Sequence, residues 1–470
     1  MTITKLNTRL WYGVGEVSQG AKNYAFQLLL LYYYNQVLGL NASLVGIILL
    51  LALVFDAITD PLVGAFSDSL QTRWGRRHSL MYVATLPLGL AFYFVFAPPP
   101  DLNETQLAAW LFCWVIVTRG AMTLYYVPHM ALGAELSSDY HDRTRIVAIR
   151  ILFGLLGAIL LVSAARVLFL PPTPAYPAGQ SNPAGYGPLG AWTGGLMSLA
   201  IVASALGTQD RIPYLKQSTG SHVFSPAQVA RDTALALRNQ SFRAFFLGML
   251  LYTVGRGLEL SLWMYVGTFF FELGTNAQLV PLAGLFGVLV GTLLWPRFPM
   301  EKRSMFIGGM LGYVLLTGGL PLCKLLGLFP PRDSALYEPL IFITMFIATI
   351  MVAGPSIASA SMVADVVDEH ELQTGQRQEG VFFGALAFAL KASSGIGNLL
   401  GSLLLTAIAF PTQVKAVASV SESKLLLLAL AYGPLVMVIV LSGLWVVRGY
   451  RLNSERHAEV LHALTHRPIE

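Results

Sequence analysis

The chain alternates long apolar runs with short polar interruptions along its whole length. A helix needs about 20 apolar residues to cross the hydrocarbon core of a bilayer. Twelve runs meet that length closely enough to predict spans at 11–37, 43–67, 79–98, 107–133, 146–170, 190–206, 244–271, 277–295, 304–326, 338–363, 380–410 and 425–447, the sixth being short. The longest polar stretch falls between the sixth and seventh. The expected organisation is an N-terminal six-helix bundle over 1–206, a linker over 207–243, a C-terminal six-helix bundle over 244–448 and a tail over 449–470. Within the linker, SPAQVARDTALALRNQ has a serine-proline start and helically spaced apolar residues, which predict a short amphipathic helix. RGYRLNSERHAEVLHALTHRP predicts another in the tail. The pattern thus defines an all-α integral membrane protein with twelve transmembrane helices. Lys5 and Arg9 lead into a stretch too long for a signal-peptide core, so the first span is expected to be kept.

Composition supports this class: the chain is 55% hydrophobic and 12% charged, about half the charged fraction of a soluble domain. Its net charge of +5 raises the possibility of nucleic-acid binding, but the positions of the cations explain it better. They concentrate in alternate loops: Arg73, Arg76 and Arg77; Arg143 and Arg145; Arg211, Lys216, Arg231 and Arg238; Arg297, Lys302 and Arg303. The positive-inside rule then puts both termini in the cytoplasm, as an even number of spans requires. Cys113 and Cys323, the only cysteines, sit singly inside predicted spans and are expected as packing residues, with no disulfide framework or metal site. No nucleophile motif, metal-ligand cluster or phosphate-cradling loop points to an enzyme or a bound cofactor.

The informative positions are ionisable residues inside the spans. Asp56 and Asp60 stack on one face of the second helix. A single carboxylate at the bilayer centre costs about 2.5–3.5 kcal/mol on insertion scales, so the pair requires a cation, a proton or a basic side chain. An ion pathway and structural ion pairs both meet that requirement. The first helix carries Glu16, Gln19 and Lys22 among Gly13, Gly15 and Gly20, whose small size permits close backbone packing. Lys22 lies too deep to snorkel easily and calls for an acidic partner or a wet interior. In the fourth helix come Arg119, Thr123, Tyr126, Pro128 and His129, with the proline expected to kink or interrupt the helix. Arg150 lies about a turn inside the fifth. Arg256 and Glu259 are three apart in the seventh, at a spacing that allows mutual neutralisation. Lys391 sits among apolar and small residues of the eleventh and needs a partner such as Asp56 or Asp60. The basic turn of Arg73, Arg76 and Arg77 and the acidic stretch containing Asp365 and Asp368 are expected either as a salt-bridged cytoplasmic gate or as solvated loops.

Taken together, WYGVGE, DAITDPLVG with RWGRR, the proline-centred end of helix four, the turn leading to Arg150, MVADVVDEHE with its lysine helix, and RLNSERHAEVLHAL span nearly the whole chain. This pattern resembles the glycoside-pentoside-hexuronide:cation symporters of the major facilitator superfamily. The resemblance implies two six-helix bundles that alternate access to a central site, moving a small-molecule solute with Na+, Li+ or H+ across the cell membrane. It assigns cation binding to Asp56, Asp60 and Thr123, and coupling or solute contacts to Arg150 and Lys391. The family's two sugar-binding acids correspond to Gly20 and Tyr126, and an aromatic position to Met130, so this chain departs from a galactoside site. Lys22, Arg119, Arg150, Arg256 and Lys391, if they face one cavity, favour an anionic solute such as a hexuronide. Gln19 and Tyr126 are further solute candidates. Two alternatives stand beside this one: a lysophospholipid or other amphiphile as solute, and a sensor or scaffold that keeps the fold without transporting.

Overall fold

The computed structural model describes residues 5–137, 139–214, 231, 234, 236–375, 379–414 and 419–466. Eleven helical stretches among them are long and apolar enough to cross a membrane: Ala42–Ser69, Arg76–Phe96, Glu104–Glu135, Asp142–Phe169, Pro183–Gly207, Gln240–Phe270, Gly274–Arg297, Lys302–Leu325, Tyr337–Thr374, Val381–Ala407 and Glu422–Val447. The other predicted span, the first, is built from shorter pieces, Leu6–Val14 and Glu16–Tyr24 followed by wider π turns at Ala25–Leu30 and Tyr33–Val37. Gly15 marks its first junction, and a Cβ there would stand 2.2 Å from the Tyr125 hydroxyl oxygen. Most of the amphipathic helix expected in the linker lies outside the described residues.

Three expectations change. Pro128 does not interrupt the fourth helix, which continues to Glu135; the lost backbone bond is tolerable where neighbouring helices re-satisfy the freed groups. The tenth helix does not give way to an acidic loop but runs to Thr374 and ends at Gly375, whose φ of 76° is left-handed. Its carboxylates are compensated: Asp365 accepts from Lys302 at 2.7 and 2.8 Å, and Asp368 from His457 at 3.1 Å. Cys113 and Cys323 are exposed on the helix surfaces rather than packed inside.

The chain divides into two compact units, Met1–Phe224 with Phe410–Ser419, and Ser225–Ala409 with Val420–Glu470. In the first, helices one and five approach backbone to backbone. A Cβ at Gly20 would stand 1.9 Å from the Gly154 carbonyl oxygen, and one at Gly157 2.2 Å from that of Val17. The close-packing reading of the first helix's glycines is therefore correct here. The segment after the eleventh helix joins this unit, with Gln36 Nε2 donating to the Pro411 carbonyl at 2.8 Å. In the second unit the tail forms the expected helix, Ser454–Thr465, capped by Asn453 and anchored by His457.

Candidate functional site

The second and fourth helices of the first unit run parallel in a fixed register in which each position faces the one 63 residues on. Asp56 is ion-paired with Arg119, and one turn along Thr123 Oγ1 donates to Asp60 Oδ1 at 2.8 Å. A turn further, a Cβ at Gly64 would be in ordinary contact, 3.6 Å, with Val127. The spacing of four on both helices thus produces two polar rungs followed by an apolar one with room for a methyl group. Arg119 also lies over the Phe26 ring, 5.9 Å from its centroid. The ion pair uses one atom from each side, since Asp56 Oδ1 and Arg119 Nε are buried without a hydrogen-bond partner. Both side chains keep some exposure, 14% and 16%. Chemically this is an intramembrane acidic pair with one unsatisfied carboxylate oxygen, a threonine hydroxyl and a guanidinium beside it.

A second cluster joins helices one, four and five. Tyr126 donates to Glu16 Oε1 at 3.3 Å, while His129 Nε2 and Arg150 Nε each lie 3.8 Å from Glu16 Oε2. That separation supports electrostatic attraction but not a hydrogen bond. Consistently, Glu16 Oε2, Arg150 Nε and both His129 ring nitrogens are buried and unbonded, as is Gln19 Oε1. Tyr12 stacks on His129 at 4.4 Å, and Arg150 contacts Met130 Sδ. Lys22 is buried and within electrostatic reach of Glu16. Glu16 is the residue sequence reasoning left without a role. Its signal was a carboxylate inside a span, but its partners are more than 100 positions away in the chain.

In the second unit Glu259 accepts from Tyr313 and, at 3.1 Å, from Tyr432, while Arg256 sits 4.9 Å over the Tyr313 ring. Arg256 and Glu259 attract each other as their spacing allows, and the tyrosines, which no sequence spacing exposed, add hydroxyl donors to the carboxylate. Lys391 is exposed on the eleventh helix, Glu379–Ala407. The gate candidates have partners within their own units: Arg76 and Arg77 bind Glu135 at 2.9 and 2.8 Å, Arg77 also reaches Asp68 at 2.5 Å, and Arg73 lies over Trp74. Asp365 and Asp368 are held by Lys302 and His457 as above.

The multi-pass helical chain with its intramembrane acids matches membrane transporters in the comparisons with known proteins. The chain belongs to the MFS/sugar transport protein family, whose model matches residues 11–454. Across 97% of its length it is 24% identical to a putative glycoside/cation symporter, YagG, from Escherichia coli strain K12, covering 94% of that protein. It is also 23% identical, over 97% of this chain and 88% of the relative, to a sodium-dependent lysophosphatidylcholine symporter from Gallus gallus. Among solved structures, the nucleoside transporter NupG superposes with a TM-score of 0.60 at 10% identity, covering 95% of this chain and 99% of that one. This last likeness is one of fold alone; together with the family match it gives the chain the major facilitator fold.

Proposed function

We propose that the chain couples entry of a monovalent cation, Na+ or H+, to transport of a glycoside by alternating access, with Asp56, Asp60 and Thr123 as the cation site. The observation that carries this reading is the pair of polar rungs, where a buried carboxylate oxygen of Asp56 stands unsatisfied beside a hydroxyl-bonded Asp60. A buried acceptor without a partner is costly, and a cation relieves that cost. Cation entry then favours the conformation in which the charge is neutralised, the differential binding that alternating access needs. Similarity to a putative glycoside/cation symporter supports the solute class.

Glu16, Gln19, Tyr126 and Arg150 form the proposed solute wall of the first unit, offering acceptors and donors to sugar hydroxyls, with the fully buried His129 packed behind them between Tyr12 and Tyr125. Lys22, Arg256 and Lys391 remain coupling or solute candidates. Arg119 and Arg150 each face a carboxylate, which lowers the surplus positive charge that favoured an anion and supports a neutral glycoside. Arg73, Arg76, Arg77, Asp365 and Asp368 are proposed for the cytoplasmic ends of the helices, with both termini on that side.

The test is uptake into proteoliposomes under imposed Na+ or pH gradients. Asp56→Asn and Asp60→Asn should each abolish cation stimulation, and stimulation surviving in both would overturn the reading. Parallel binding of neutral glycosides and their uronates decides the charge of the solute. A second solute class, a lysophospholipid, is favoured by the exposed Met130 thioether against Arg150 and by the similarity to the Gallus gallus relative. Cation-stimulated uptake of lysophosphatidylcholine with no glycoside uptake would select it.

A further inference from the structure

An acidic pair that receives a cation gains most from attraction when nothing positive shares it. Here something does. Arg119 reaches from the fourth helix to Asp56 Oδ2, and its guanidinium is anchored over Phe26. The pairing is incomplete, because Arg119 Nε and Asp56 Oδ1 are buried and unbonded although a bidentate guanidinium–carboxylate pair would satisfy both. One carboxylate oxygen is thus held by the protein's own cation, while the other is left as an acceptor next to the Asp60–Thr123 rung.

We propose that Arg119 is a tethered counter-cation that sets the strength of cation binding at the second-helix aspartates. The incoming ion must share Asp56 with the guanidinium or displace it, so affinity is held down and release is made easier. This rests on the reading of Asp56 and Asp60 as the cation site. The physical basis is Coulombic. At about 6 Å and an effective dielectric constant near 20, a fixed positive charge opposes a second cation strongly enough to weaken its binding by about 10- to 100-fold. A guanidinium stays charged under any ordinary condition, so its effect is permanent until it moves.

Charge arithmetic gives a test that a merely structural role would not satisfy. Counting Asp56, Asp60 and Arg119, the formal charge is −1 in the natural protein and −2 in Arg119→Gln. The experiment is calorimetric titration of the full-length, detergent-solubilised protein with NaCl and with LiCl, without solute and at fixed pH. Arg119→Gln should bind Na+ or Li+ at least tenfold more tightly than the natural protein, or acquire binding that the natural protein lacks. Arg119→Lys should resemble the natural protein. Loss of packing at position 119 would weaken binding rather than tighten it, so a tighter Arg119→Gln is not a packing effect. If Arg119→Gln binds neither ion more tightly, the proposal is overturned. Should Arg119→Gln fail to fold, Arg119→Met, which keeps an aliphatic stem without the charge, decides the matter by the same criterion. An Asp60→Asn control separates the two levels of inference. Unchanged cation binding there would overturn the site itself, whereas lost binding with no effect of Arg119 would overturn only the role of the arginine.

Discussion

Each unit of the molecule holds an intramembrane carboxylate cluster, and the two are built differently. In the N-terminal unit Asp56 meets a guanidinium through one oxygen, leaves the other unbonded and stays 14% exposed. In the C-terminal unit Glu259 is 4% exposed and both of its oxygens accept tyrosine hydroxyls. A carboxylate that accepts a hydroxyl on each oxygen in a packed core, with Arg256 in electrostatic reach, has little to exchange, and its hydroxyl partners hold the surrounding helices in one arrangement. One that is partly satisfied by a charge and partly open can change partners at little cost. The contrast sets the proposed cation site apart from a cluster built like a structural knot, a difference that the acids and arginines alone do not announce in the sequence.

The most severe way to break that contrast is to neutralise the proposed cation site. Asp60→Asn should remove cation-stimulated uptake entirely while leaving the thermal unfolding temperature within a few degrees of the natural protein, as vesicle uptake and a melting curve would reveal. Glu259→Ala should do the reverse. Two buried tyrosine hydroxyls would lose their acceptor, at about 1–3 kcal/mol each, so the protein should melt markedly lower while any folded fraction keeps its cation affinity. Glu259→Gln retains an acceptor and should be much milder; loss of cation stimulation in fully folded Glu259→Gln would show that the second cluster also works in transport. A smaller effect is expected from Gly20→Ala, whose methyl group would press on the Gly154 carbonyl. Overpacking of this kind costs about 1–3 kcal/mol, measurable as a lower denaturation midpoint with the cation site intact. Smallest of all, His457→Ala removes a partly exposed contact to Asp368. It should loosen the tail helix by about 0.2–1 kcal/mol, seen as faster amide exchange over Ser454–Thr465 with uptake unchanged.

Much of this organisation is legible in the chain. Apolar run length marks the spans because no other backbone arrangement of that length satisfies itself inside lipid. Asp56 and Asp60 stand out because their cost demands a partner, and Thr123 entered through resemblance. What the chain hides is pairing. Arg119 is conspicuous as a costly cation, yet nothing local says that it faces Asp56 rather than a solute, because its partner lies 63 positions away on another helix. Glu16 and Arg150 are likewise joined through the close approach of helices one and five at Gly20, Gly154 and Gly157. Tyr313 and Tyr432 read as ordinary apolar-face aromatics until the fold turns their hydroxyls onto Glu259. The overrun of the tenth helix was missed for a related reason: its acidic end reads as loop until Lys302 and His457 are placed beside it.

The grouping of Phe410–Ser419 with the N-terminal unit has a consequence for covalent topology. The polypeptide passes between the two units at three points, after Phe224, after Ala409 and after Ser419, instead of once through the long polar stretch. A gene cut between codons 224 and 225 would therefore yield a second fragment that carries a short piece belonging to the first. Through the Gln36–Pro411 contact that piece provides a built-in recognition element, and the separately made fragments should find each other and copurify.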